Sequence, residues 1–140
     1  MAENKKKQLQ EKYVELKVYE AQLSEIQKQV EAFENHLFEL STILDSLDEL
    51  KTIPKGTELL VPISPGVFVK ARLENANQLT VNVGSSVAVE RSIPETKELI
   101  EKQMKELEAY RKKLINEFER LSVGARRVQQ ELLSLSESSE

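Results

Sequence analysis

From Leu9 to Leu47 apolar residues return in alternating steps of three and four, with neither Gly nor Pro among them. With Leu9 at heptad position a, the a set is Leu9, Leu16, Leu23, Val30, Leu37 and Leu44, and the d set is Lys12, Tyr19, Ile26, Phe33, Leu40 and Leu47. Eleven of these twelve are apolar, and a pattern held over six heptads reads as coiled coil. The last third of the chain repeats it, with d positions Ile100, Leu107, Leu114, Leu121, Val128 and Leu135 and a positions Met104, Arg111, Phe118, Ala125 and Leu132 between them. Ser92, Pro94 and Glu95 ahead of that run supply a cap, a first-turn proline and a carboxylate at the positive end of the helix dipole. Equal helices of about 42 residues joined by a compact middle imply an antiparallel hairpin. Residues whose numbers add to about 145 then face one another, which sets Leu16 against Val128 and Leu44 against Ile100.

The middle segment changes to period two. Leu59, Val61 and Ile63 alternate with polar or Pro positions, Val67, Val69, Ala71 and Leu73 with Phe68, Lys70 and Arg72, Leu79, Val81 and Val83 with Thr80 and Asn82, and Val87 and Val89 with Ala88 and Glu90. Pro65-Gly66 suits a type II turn, while Asn75-Ala76-Asn77 and Gly84-Ser85-Ser86 offer residues that tolerate positive φ at the other two reversals. Two successive β-hairpins are therefore expected, with Pro62 placing its strand at an edge or a bulge. The expected organisation is an α+β single domain: an N-terminal helix over residues 1–53, two β-hairpins over 54–92, a C-terminal helix over 93–136 and a flexible Ser/Glu tail over 137–140.

Four such strands present one apolar face, and the chain has nothing to cover it, because each helix turns its only apolar seam toward the other. A lone sheet with a bare face and free edges is marginal or aggregates. Strands from several chains closing into a shared barrel or sandwich would remove both liabilities, making the strands an assembly module and the helices the working part.

Composition narrows the function. With 24 acidic against 20 basic residues the net charge is -4, which gives no field for a polyanion, so nucleic-acid binding is not expected. Cysteine is absent, which rules out disulfides and thiolate metal sites. No apolar run is long enough to span a bilayer, and no apolar leader is visible, so a cytosolic protein away from membranes is expected. His36, the lone histidine, falls beside the seam and reads as solvated. The carboxylates are mixed with Lys and Arg at helical spacings, as on a solvated face. Gly84-Ser85-Ser86 lacks the spacing of a phosphate loop. No nucleophile, metal cluster or cofactor loop emerges, so neither enzyme activity nor a cofactor is expected.

Helix, "ELLVPISPGVFVKARL", "QLTVNVGSSVAVERS", helix resembles the prefoldin α-type subunit. The match covers nearly the whole chain and is most specific at Leu59-Leu60-Val61-Pro62, at Gly66 with Val69-Lys70-Ala71, and from Val81-Asn82-Val83-Gly84 through Val87-Ala88-Val89-Glu90. Two hairpins between the helices look like the α class, since the β class has one. The resemblance implies an ATP-independent cytosolic co-chaperone in which two α-type and four β-type subunits join strands in a double β-barrel. The coiled coils would hold an unfolded protein between their tips and pass it to a group II chaperonin.

A holdase needs apolar side chains outside the seam. Near the helix ends these are Tyr13, Val14, Val18, Val123 and Leu133, joined by the end-of-seam residues Leu9, Leu16, Val128, Leu132 and Leu135 as the expected client-binding tip. The expected oligomerisation residues are Leu59, Val61, Ile63, Val67, Val69, Leu73, Leu79, Val81, Val83, Val87 and Val89. Phe38, Ile43, Leu50 and Ile53 lie off the seam near the strands and suit packing on the barrel. Arg111, at an a position opposite Glu34 or Glu31, suits a register-fixing role. Gly124 costs about 1 kcal/mol in a helix interior and either loosens the helix or allows a close approach. Lys5, Lys6 and Lys7 read as a solvated basic start. Two rival functions differ in kind: a scaffold that tethers fixed partners on a barrel hub, and an arm for structured RNA, against which the mixed charges argue.

Overall fold

The computed structural model describes residues 2–138, comprising helix α1 (Ala2–Leu50), strands β1 (Glu58–Ser64), β2 (Val67–Arg72), β3 (Leu79–Asn82) and β4 (Ala88–Arg91), and helix α2 (Ile93–Ser138). The chain divides into two compact units, one of residues 1–36 with 107–140 and one of residues 37–106. The first is a helix-end unit, and the second carries the strands.

In the helix-end unit α1 and α2 lie antiparallel, joined by Lys12 with Glu131, Glu34 with Arg111 and the stacked rings of Phe33 and Tyr110. The numbers in these pairs add to 143 or 145, close to the register read from the heptads. Val128 is fully buried and Ile26 nearly so, while the other seam residues of this unit are half-buried, as in a two-helix layer with water on both flanks.

Gly124 sits on this seam for a specific reason. A Cβ there would come within 2.8 Å of the Tyr19 ring, so the missing side chain makes room for the aromatic at the facing d position. Of the two roles open to Gly124 in the sequence, close approach is the one observed.

In the strand unit the seam continues through Leu40, Leu47, Ile93 and Ile100, all buried. Lys97 Nζ meets Asp48 Oδ1 at 2.5 Å across it. α1 stops at Leu50, three residues short of the expected end. Thr52 and Ile53 donate to the carbonyls of Glu49 and Leu50 three residues back, and Pro54 disfavours helical geometry at Ile53. α2 begins with a reciprocal cap. Glu95 N donates to Ser92 Oγ at 3.2 Å, and the Glu95 carboxylate accepts from the Ser92 hydroxyl at 2.9 Å and the Ser92 amide at 3.4 Å. These bonds hold the Glu95 carboxyl below its ordinary pKa. α2 is helical through Ser138, so the first two residues of the expected tail at 137–140 are helical; Met1 and residues 139–140 lie outside the described residues.

The strands form two separate two-stranded ribbons, β1 with β2 and β3 with β4, rather than the single four-stranded face expected from the alternation. In the first, Leu59 pairs with Ala71, Val61 with Val69 and Pro62 with Phe68, and the register shifts by one residue around Ile63. The bulge falls beside Pro62, which has no amide to donate. Gly66, with φ of 81°, closes the type II turn that Pro65-Gly66 suggested. In the second, Val81 pairs with Val89, and the reversal is a type I′ turn with Ser85 and Ser86 at φ of 51° and 62°. Asn75 and Asn77 do not take positive φ. Asn77 N instead donates to Asn75 Oδ1 at 2.9 Å, so the link between ribbons is an Asx turn.

Gly124→Ala should gain clearly less than the about 1 kcal/mol that helix propensity alone would provide, because Tyr19 must move aside. Combined with Tyr19→Leu the full gain should return. A double-mutant cycle by denaturant unfolding tests this, and additive effects would contradict the contact.

Candidate functional site

Two surfaces carry exposed apolar side chains, one in each unit. In the helix-end unit Tyr13, Val14, Val18, Val123 and Leu133 are exposed, as expected of residues off the seam. Leu9, Leu16, Leu132 and Leu135 are half-buried. Val128 corrects the sequence reading: at 0% exposure it is the most buried side chain among the described residues and cannot meet a client while the helices are paired. It sits at a d position where the facing helix closes over it. Leu9, Tyr13, Val14 and Leu132 share one concave apolar surface with Lys6 and Gln10. The sequence reading passed over Tyr110, which is exposed; its ring stacks on Phe33 at 6.1 Å, with Lys113 Nζ 5.7 Å from its centroid.

The polar seam positions form ion pairs across the helices. Lys12, the one polar member of the α1 seam, reaches Glu131 Oε2 at 2.5 Å and Glu15 at 3.5 Å. Its hydrogen bond to Glu131 raises the Lys12 pKa and lowers that of Glu131. Arg111 places Nε and one terminal nitrogen each 3.1 Å from Glu34 Oε1, and its other nitrogen 3.0 Å from Glu108. Glu34, not Glu31, is thus its partner.

In the strand unit the first ribbon is apolar on one face and mixed on the other, where Glu58, Lys70 and Arg72 alternate with apolar residues. Leu59, Val61, Val69 and Ala71 share one face, and Leu60, Pro62 and Phe68 share the other, where Leu60 is 63% and Phe68 56% exposed. The sequence reading passed over Leu60 and Phe68 because the alternating pattern assigns them to the outer face. The signal was present in the unbroken run Leu59-Leu60-Val61-Pro62-Ile63. Val61, Ile63, Val67 and Val69 are exposed, Leu59 is half-buried, and Leu73 lies just past β2, its amide bonded to Thr57 O at 3.0 Å. In the second ribbon Leu79, Val81 and Val89 are half-buried, while exposed Val83 and Val87 flank the turn outside the strands, bonded N to O at 3.0 Å. Its other face carries Thr80, Asn82, Ala88 and Glu90, three of them polar. Phe38 and Ile43 are exposed on α1 in this unit.

Among the described residues no cluster of His, Asp and Glu could hold a metal ion, and no helix is long and apolar enough to cross a membrane. Two long antiparallel helices flanking paired β-ribbons, with exposed apolar side chains on the strands and at the helix ends, define a class of protein. The family model for the prefoldin subunit matches residues 19–137. Prefoldin subunit alpha of Pyrococcus horikoshii is 37% identical over 114 residues, covering 81% of this chain and 76% of the relative. That of Methanobrevibacter smithii is 30% identical over 122 residues, covering 86% and 83%. A chain in the cryo-EM structure of filamentous PFD from Methanocaldococcus jannaschii has a TM-score of 0.75 at 24% identity, covering 83% of this chain and 96% of that one, a likeness of fold. The chain belongs to the prefoldin family, as an α-type chaperone subunit. Prefoldin subunits work in oligomeric complexes with one another.

Because the Glu131 carboxyl titrates lower in the folded chain than in the unfolded one, its contribution is full above the ordinary carboxylate pKa and is lost as pH falls through the folded value. Lys12 contributes below the ordinary lysine pKa and stops contributing as pH rises through its raised value. Circular dichroism melts taken from about pH 7 to about pH 3 should show a shallower acid loss of thermal stability for Glu131→Gln than for the parent. The slope that remains would come from Asp48 and Glu95, both also lowered. Equal slopes would mean that the pair does not hold the helices together.

Proposed function

We propose that this chain is one subunit of an ATP-independent holdase that captures unfolded polypeptides at its helix ends and passes them to a group II chaperonin. The exposed apolar side chains on both faces of the β1–β2 ribbon support the assembly half of this reading. Leu60 and Phe68 on one side and Val61 and Val69 on the other are exposed in the single chain, and strands of neighbouring subunits would cover both faces. The proposed complex has two α-type and four β-type subunits, with the ribbons closed into a shared barrel. Capture rests on the exposed Tyr13, Val14, Val18, Val123 and Leu133, with Leu9, Leu16, Leu132 and Leu135 at the end of the seam. Each helix end binds weakly, and several tethered ends raise the effective affinity without new chemistry. Release needs a competing surface rather than a nucleotide. The proposed setting is the cytoplasm, with no enzymatic step and no cofactor.

The test is light scattering from a denatured, unrelated protein diluted into the assembled complex. It is repeated with residues 1–18 and 126–140 of this chain removed, once the trimmed form is shown to assemble. The intact complex should suppress aggregation and the trimmed one should suppress it far less. Equal suppression would move the client surface to the shaft or the barrel. No suppression by either would favour a scaffold that tethers fixed partners.

A further inference from the structure

The two concave surfaces of the helix ends differ in chemistry. One gathers Glu11 and Glu131 with Lys12 and Arg127, so its acids lie beside cations, and Lys12 already holds Glu131 at 2.5 Å. The other is the apolar depression of Leu9, Tyr13, Val14 and Leu132, whose only charged lining residue is Lys6. Among the described residues no carboxylate pairs with Lys6. A second ammonium overhangs the same surface, since Lys17 Nζ stands 5.3 Å from the centre of the Tyr13 ring. Lys17 also meets Glu20 at 3.4 Å, but both side chains are more than half exposed, so that pair is weak and exchangeable. The depression is therefore an apolar floor with an ammonium group toward each end and no carboxylate in its lining.

We propose that this depression selects, among unfolded polypeptides, apolar segments flanked by acidic residues. The inference rests on the holdase reading above and names the class of client that this surface prefers. Lys6 and Lys17 are eleven positions apart on α1, or ~16 Å along the helix axis. An extended chain covers that distance in about five residues. A client segment of that length places apolar side chains on Leu9, Tyr13 and Leu132 while a carboxylate at either end reaches an ammonium. A lysine-flanked segment meets like charge at the same two points. The apolar floor supplies affinity for both, and the ammonium groups supply the difference.

The experiment uses the full-length chain assembled with its partner prefoldin subunits and three fluorescent peptides. These share one five-residue apolar core and carry Asp, Lys or Ser pairs as flanks. Fluorescence anisotropy at low salt should show the Asp-flanked peptide binding about three- to tenfold tighter than the Lys-flanked one. The ratio should approach one at ~1 M salt, where screening acts within about 3 Å. It should also fall toward one at low salt in the Lys6→Gln, Lys17→Gln variant. If all three peptides bind alike, the selectivity is overturned and the holdase reading stands. If the preference survives in the variant, it resides elsewhere and the assignment to this depression is overturned. If no peptide binds, the holdase reading fails with it.

Discussion

Each helix carries one apolar stripe, and the stripe of each is consumed by the other. Val128 and Ile26 in the helix-end unit, and Leu40, Leu47 and Ile100 in the strand unit, are buried seam positions. Full burial of such a side chain contributes about 1.5 to 3 kcal/mol, so a seam of this length can hold two helices that would be marginal alone. The same economy leaves little apolar helical surface off the seam in the strand unit, chiefly Phe38 and Ile43 of α1. The exposed Leu60, Val61, Phe68 and Val69 of the first ribbon are the surface that other subunits are proposed to cover.

A purely apolar seam tolerates slippage by a heptad. Three cations interrupt this one, Lys12, Lys97 and Arg111, and each finds a carboxylate on the facing helix in Glu131, Asp48 and Glu34. A slip would part all three pairs and would drive the Tyr19 ring against a side chain in place of Gly124. Exposed ion pairs add little net stability, so their value lies in choosing one register among several that hydrophobicity alone would allow.

Periodicity sufficed for the helices, their antiparallel order and a register within two residues, because a seam of six heptads repeats one signal many times. It was less informative wherever the deciding partner sits on another element. Gly124 could not be read without Tyr19, and the choice between Glu34 and Glu31 for Arg111 needed side-chain geometry. Val128 was placed among client contacts because nearness to a chain end says nothing of burial at a d position. The alternation in residues 59–73 pointed to one apolar face, whereas Leu60 and Phe68 add exposed apolar side chains to the face that also carries Lys70 and Arg72. The turns divided in the same way. Gly66 and Gly84-Ser85-Ser86 take the positive φ expected of them, but Asn75-Ala76-Asn77 reverses through the Asn75 side chain instead.

The central claim is that the ribbons are incomplete in the single chain and are finished by other subunits, while the helix ends are complete without them. Amide hydrogen exchange followed by mass spectrometry, on the chain alone and in complex with partner prefoldin subunits, tests it most directly. Strong protection should appear across residues 58–91 on assembly, with little change over residues 2–18 and 123–138. Ribbons already protected in a chain shown by light scattering to be monomeric, or protection gained mainly at the helix ends, would contradict the account.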